Sequence, residues 1–219
     1  ANTYTITFNG NDGDKLENKT KEVIYGEKYG ELPTPTRAGY TFMGWFNSVS
    51  EEITAETTVD ITENTVLTAK WIESELTITF DVYKGQVEPS SKKVIYKQEY
   101  GTLPTPTKEG YTFVGWYDNK TNGNKIEETS KVTATKNHVL YAIWKINVYD
   151  VEFIGKNENG EEATLATVKV EHGNNITTAL LEAQGINISE IQKDVITPEY
   201  TYKYKEMETS KFYTVTENR

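Results

Sequence analysis

The sequence predicts a mostly β, α+β protein made of tandem small modules. Three observations predict it. A long block of residues occurs twice in the chain. Short runs alternate apolar residues with threonine between glycines and prolines. A helical pattern is clear only once, in the last third.

The repeated block is Pro33-Thr34-Pro35-Thr36-Arg37-Ala38-Gly39-Tyr40-Thr41-Phe42-Met43-Gly44-Trp45-Phe46, which recurs as Pro104-Thr105-Pro106-Thr107-Lys108-Glu109-Gly110-Tyr111-Thr112-Phe113-Val114-Gly115-Trp116-Tyr117. Upstream, Tyr4 to Phe8 matches Leu76 to Phe80, and Val23-Ile24-Tyr25 matches Val94-Ile95-Tyr96. Downstream, Val66 to Trp71 matches Val139 to Trp144. The first strand buries Tyr4, Ile6 and Phe8 by alternation, and in the second Val23 and Tyr25 share a face. The two prolines of Pro-Thr-Pro-Thr remove donors and favour extended backbone, so that stretch crosses the surface rather than joining a sheet. Gly39 and Gly110 turn the chain into a third strand. Gly44 and Gly115 lie inside that strand and predict a bulge. One extra residue there brings Phe42 and Trp45 to one face, so Tyr40, Phe42 and Trp45, and likewise Tyr111, Phe113 and Trp116, are expected in the cores. The last strands place Leu67, Ala69 and Trp71 together, and Leu140, Ala142 and Trp144.

The third segment diverges. Tyr149, Val151 and Phe153 repeat the first alternation, and Val168 and Val170 supply a second strand closed by His172-Gly173. A helix of about two turns follows, capped by Asn175 and ended by Gly185, with Ile176, Leu180 and Leu181 as its apolar stripe. Tyr200-Thr201-Tyr202 and Phe212 to Thr216 read as strands. Thr216-Glu217-Asn218 matches Thr62-Glu63-Asn64, which precedes the last strand of the first copy; either the module is cut before its final strand, the reading favoured here, or Phe212 to Thr216 is itself that strand. The expected domains are 1–72, 73–146 and 147–219, joined by very short linkers that restrict their relative motion.

Composition narrows the function. Among 219 residues, 33 acidic against 23 basic side chains give a net charge of −10, which disfavours nucleic acid and acidic membrane as partners. The absence of cysteine excludes disulfides and thiol catalysis. No apolar run approaches the ~20 residues of a membrane span; Ala1 opens without a charged n-region, so no signal peptide is expected here, and in a secreted protein it would have been removed or lie outside this segment.

The segment Gly-Tyr-Thr-Phe-x-Gly-Trp, preceded by Pro-Thr-(Arg/Lys)-x-Gly and followed by a strand ending in Trp, resembles the Listeria–Bacteroides repeat, the module of the internalin B-repeat region. The third segment lacks this block. The resemblance implies β-grasp modules similar to ubiquitin or SUMO, an extracellular place at the bacterial cell surface or wall, and a stalk or adhesion role. It implies no catalytic residues and no cofactor.

Other chemistry is sparse. His138 and His172 lack neighbouring ligands and read as turn histidines. The run Asn9 to Glu17 resembles a calcium loop but fails its register and reads as a hairpin turn. Asp118 to Asn124 is a second polar turn. No nucleophile, base and acid recur together, so catalysis is not expected. Tyr83, Tyr117, Tyr141 and Phe46 differ between copies or fall on the outer face. They are the candidates for stacking on glycans or anchoring host surface proteins.

Overall fold

The alternation of apolar residues and threonine produces strands wherever one face can be buried. The computed structural model describes residues 1–14, 16, 19–156, 162–186, 201–205 and 212–216. Residues 15, 17 and 18 of the calcium-like run, Tyr200, and Glu217-Asn218 of the proposed truncation match lie outside the described residues.

The first sheet contains β1 (Thr3–Asn9), β2 (Thr20–Ile24), β3 (Tyr40–Phe46), β4 (Glu52–Ile53) and β5 (Thr65–Glu73), in the order β2-β1-β5-β3-β4. β1 pairs antiparallel with β2 and parallel with β5, while β3 runs antiparallel to both β5 and β4. The second sheet repeats this order. Its strands are β6 (Glu75–Asp81), β7 (Ser91–Ile95), β8 (Tyr111–Tyr117), β9 (Lys125–Ile126) and β10 (His138–Ile146), arranged β7-β6-β10-β8-β9 with β6 and β10 parallel. The third contains β11 (Val148–Lys156), β12 (Glu162–Glu171), the helix α1 (Thr178–Ala183), β13 (Thr201–Lys205) and β14 (Phe212–Thr216), with strands ordered β12-β11-β13-β14. Here β13 lies antiparallel beside β11, where each of the other sheets has its parallel last strand.

Contacts divide the chain into two compact units, one of Ala1–Tyr83, Val87–Thr105 and Gly115–Ala142, the other of Lys84–Gln86, Pro106–Val114 and Ile143–Arg219.

The first core is built on Ile6, Phe8, Val23, Trp45, Leu67 and Ala69, with Phe42 and Trp71 packed against it. The predicted bulge is present. Pairing with β5 slips between Phe42 and Gly44, Gly44 has φ +142°, and the rings of Phe42 and Trp45 meet at 5.5 Å. Gly115 repeats it at φ +157°. The φ of Gly44 is one that L side chains rarely adopt, so conformation requires the glycine, while the nearest group to an added Cβ is the mobile carboxylate of Glu52 at 2.8 Å. Each motif tryptophan also ties down the proline stretch. Trp45 Nε1 donates to the Pro33 carbonyl at 2.7 Å and Trp116 Nε1 to that of Pro104 at 2.8 Å. A buried indole N–H needs such a partner, and the proline-rich crossing supplies a carbonyl.

Several expectations are corrected. Tyr40 and Tyr111 share the face of Phe42 and Phe113 but lie beyond the end of the core, so they are half-buried and contact other rings. Tyr25 does not join Val23 inside; it follows the last residue of β2 and is 52% exposed. The cap of α1 is Thr177, whose hydroxyl accepts from the Leu180 N–H, rather than Asn175; Ile176 precedes the helix and is exposed, and Leu181 is its buried anchor. Gly185 follows in the left-handed conformation expected of a helix stop. His138 opens β10 instead of sitting in a turn. The sequence also hid part of the core. Tyr29 and Val59, and equivalently Tyr100 and Val132, are buried on irregular segments that hydrogen-bond to each other, as in Tyr29 N–H to Thr57 O at 3.0 Å. Burial holds the hydroxyls of Tyr29 and Tyr100 above the ordinary tyrosine pKa, with Asp60 and Asp118 respectively adding to it.

Candidate functional site

The shared strand registers define three equivalent positions. Thr3 pairs with Ile24, Glu75 with Ile95, and Val148 with Glu171. The residue before each first strand is therefore Asn2, Ser74 or Asn147, and the residue after each second strand is Tyr25, Tyr96 or His172. At all three places the second donates its backbone N–H to the carbonyl of the first: Tyr25 to Asn2 at 2.9 Å, Tyr96 to Ser74 at 3.0 Å, His172 to Asn147 at 2.8 Å. The result is a small knob, an aromatic ring held beside the residue that precedes a first strand.

Two of these knobs sit in sockets made by the Gly-Tyr-Thr part of the repeated motif. In the first unit, Ser74 N–H donates to the Gly39 carbonyl at 3.0 Å, Thr41 and Ser74 hydroxyls bond at 2.9 Å, and Tyr40 and Tyr96 meet edge to face at 5.5 Å. In the second unit, Asn147 N–H donates to the Gly110 carbonyl at 2.9 Å, the Thr112 hydroxyl donates to Asn147 Oδ1 at 2.6 Å, and Tyr111 meets His172 at 6.4 Å. The glycines are spatially necessary. A Cβ on Gly39 would lie 2.6 Å from the Tyr96 ring, and one on Gly110 would overlap His172.

The joints differ in their cations. Lys97 donates to the Tyr40 hydroxyl at 2.6 Å, and that bond raises the lysine pKa. Arg37 covers the Tyr40 ring at 4.1 Å, and Lys108 covers Tyr111 at 3.9 Å. Gln98 also donates to Glu73 at 2.8 Å in the first joint. The Lys97 and Gln98 bonds are exposed and worth little, whereas Arg37 and Lys108 are half-buried over their rings.

The four predicted aromatics do not form one site. Phe46 is half-buried under Lys70, whose ammonium lies 3.9 Å from the ring centre. Tyr117 is half-buried. Tyr141 is half-buried with Lys120 at 5.1 Å, and Lys120 pairs with Asp81 at 3.0 Å. Tyr83 is 65% exposed and holds the left-handed conformation at φ +38°. Its N–H donates to Asp81 Oδ1 at 3.0 Å. The Lys120 hydrogen bond and then this backbone N–H hold the Asp81 carboxyl below the usual range. Tyr83, Asp81, Lys120 and Tyr141 thus gather at one end of the second repeat. The first has Asn11, Asn9 and Thr68 in place of Tyr83, Asp81 and Tyr141.

The described start of the acidic loop, Asn9 to Asp14, is tied into the first repeat. Trp71 Nε1 donates to Gly10 O at 2.9 Å, Asn11 Nδ2 donates to Ala69 O at 3.1 Å, and Arg37 faces Asp12 at 3.6 Å. The Asp118 to Asn124 loop closes on itself through Asn124 N–H to Asp118 at 2.7 Å. His138 bonds the Tyr100 hydroxyl at 2.7 Å. Among the described residues no three His, Cys, Asp or Glu side chains gather as metal ligands, and no helix is long and apolar enough to cross a membrane.

Fold and joints together define a tandem-repeat β protein in which one motif serves both the core and the contact with the following sheet. The chain belongs to the Listeria-Bacteroides repeat domain family, whose model matches residues 4–70 and 77–143. It is 31% identical over 192 residues, 85% of the chain, to a protein of Evansella cellulosilytica whose name assigns it provisionally to the membrane. A Gly-rich protein of the same organism, with the same provisional assignment, is 32% identical over 69% of the chain. Internalin H of Listeria monocytogenes is 33% identical over 64%. The chain spans 27%, 17% and 24% of these three relatives.

Proposed function

We propose that this chain is a non-catalytic, semi-rigid stalk region of a bacterial cell-surface protein, outside the membrane, with modules at 1–72, 73–146 and 147–219. The observation that carries this reading is the repeated joint. A linker of one residue between β5 and β6, and again between β10 and β11, has both its backbone groups hydrogen-bonded and a ring seated on a bare glycine. Such a linker has little freedom left to lose. A β-grasp assignment for the repeats is supported by the central parallel pair and by the pinned segment crossing from β2 to β3. The names of the relatives support an envelope location.

Cysteine-specific spin labels at Ser48→Cys and Thr121→Cys test the reading, since the chain has no cysteine of its own. Both positions are exposed loop residues of the first unit. A stalk gives one narrow distance distribution, broadened by Gly39→Asn. A broad distribution in the otherwise unaltered chain would reject it.

A second reading is a binding module for glycans or host surface proteins, favoured by Tyr83. A bulky aromatic in the left-handed region is strained where asparagine is at ease, and strain of this kind concentrates at functional sites. Tyr83→Asn copies the first repeat. Saturable binding to a glycan array or host cells, lost in that variant without loss of thermal stability, is the expected sign. No binding by the unaltered chain would sink the reading.

A further inference from the structure

We infer that the Asn2–Tyr25 end of the first repeat is a third knob, fitted to the Gly-Tyr-Thr socket of another Listeria–Bacteroides repeat joined directly ahead of Asn2. The inference deepens the stalk reading and depends on it. Its basis is that every backbone feature of the two seated knobs is already built at this end.

Asn2 immediately precedes β1, as Ser74 precedes β6 and Asn147 precedes β11. Its carbonyl accepts the Tyr25 N–H at 2.9 Å, the bond that shapes the other two knobs. The next residue is left-handed in all three, with φ +84° at Gly26, +66° at Lys97 and +80° at Gly173. Asn2 N–H therefore holds the place of the N–H groups that donate to the Gly39 and Gly110 carbonyls.

The side chains match as well. Asn2 is the same residue as Asn147, whose amide oxygen accepts the Thr112 hydroxyl at 2.6 Å. Tyr25 is the same residue as Tyr96, whose ring lies against Gly39. Each half of this knob is thus already seated somewhere in the chain. Meanwhile Tyr25 is 52% exposed, a large ring outside every core. The complementary chemistry is specific: a glycine with no Cβ to block the ring, its carbonyl as acceptor, a tyrosine edge and a threonine hydroxyl. Direct linkage is the committed source because one connecting residue makes docking intramolecular, which raises the effective concentration into the millimolar range.

The test extends the chain with a second copy of residues 1–73 in place of Ala1, so that Glu73 of the added copy joins Asn2. The added copy carries Tyr25→Phe, which leaves one Tyr25 to follow. Nitration by tetranitromethane, read by peptide mass, reports whether that ring is covered. Tyr25 is expected to react several-fold more slowly in the extended chain than in the present one, and to recover with Gly39→Asn in the added copy. Tyr40→Leu in the added copy is a second socket variant should the first fail to fold. Tyr96 in the present chain is the internal standard for a seated knob. If Tyr96 is slow but Tyr25 reacts equally fast in both chains, this inference is overturned and the stalk reading stands. If Tyr96 reacts as fast as Tyr25 in the present chain, both fail. Protection of Tyr25 that grows with concentration of the present chain would place the socket on a separate molecule and overturn the direct linkage.

Discussion

Phe42, Gly44 and Trp45 belong to the interior of their own repeat, whereas Gly39, Tyr40 and Thr41, just before and at the start of the same strand, belong to the contact with the following sheet. The core half is fixed by volume: Trp45 is 2% exposed, packs at a tilt against Phe8 with ring centres 4.8 Å apart, and anchors the Pro33 carbonyl. The joint half is fixed by an absence of volume, since any side chain at Gly39 would strike the Tyr96 ring. The two halves therefore recur for different reasons. One defines what the module is, and the other defines how it meets the next.

The largest effect expected from breaking this comparison is in the core half. Trp45→Ala should cost the first repeat about 3–5 kcal/mol, the usual range for removing a buried large aromatic, and Trp116→Ala should cost the second a similar amount. Gly39→Asn should leave most of the melting temperature intact while broadening the spin-label distances, because asparagine tolerates left-handed backbone and the joint contacts are largely exposed. Calorimetry on the three variants separates the halves. A Gly39→Asn loss as large as that of Trp45→Ala would mean the glycine serves the core after all.

This division also explains what was legible in the sequence. The bulge was readable because a glycine inside an alternating strand needs a reason, and the phase of Phe42 and Trp45 supplied it. The joint was not readable. Tyr40 obeys the same alternation as Phe42, and nothing in periodicity tells where a core ends along a strand. Only the equivalence of Tyr25, Tyr96 and His172 hinted at it, and a histidine replacing a tyrosine conceals the match. Tyr29 and Val59 were missed because they are buried from irregular backbone, which carries no period. The helix cap was misplaced because Asn175 and Thr177 are both good cap residues, and only the Thr177 hydroxyl accepts the Leu180 N–H at the start of α1. Tyr83, Tyr117, Tyr141 and Phe46 stand out in the sequence by differing between copies or by falling on the expected outer face, and neither ground assembles them into one site. Phe46 lies under Lys70, while Tyr141 lies near Lys120, which pairs with Asp81 beside Tyr83.

The smallest expected effect sharpens the comparison between copies. Asp81 Oδ1 accepts the Tyr83 N–H at 3.0 Å, and Asn9 Oδ1 accepts the Asn11 N–H at the same distance. Both build one turn, with the next two residues left-handed in each repeat: Asn11 and Asp12 in one, Tyr83 and Lys84 in the other. Asp81→Asn therefore keeps the turn and removes only the charge that Lys120 pairs with. The folded state depresses the Asp81 pKa, so its contribution is present above the unfolded value of about 3.9 and is lost as pH falls through the lower folded one. The variant should melt slightly below the parent at neutral pH and low salt. The gap should close at high salt, and also as pH falls below about 3.9. A gap that persists under both conditions would show that the carboxylate matters through geometry rather than charge, and that the two turns are not equivalent.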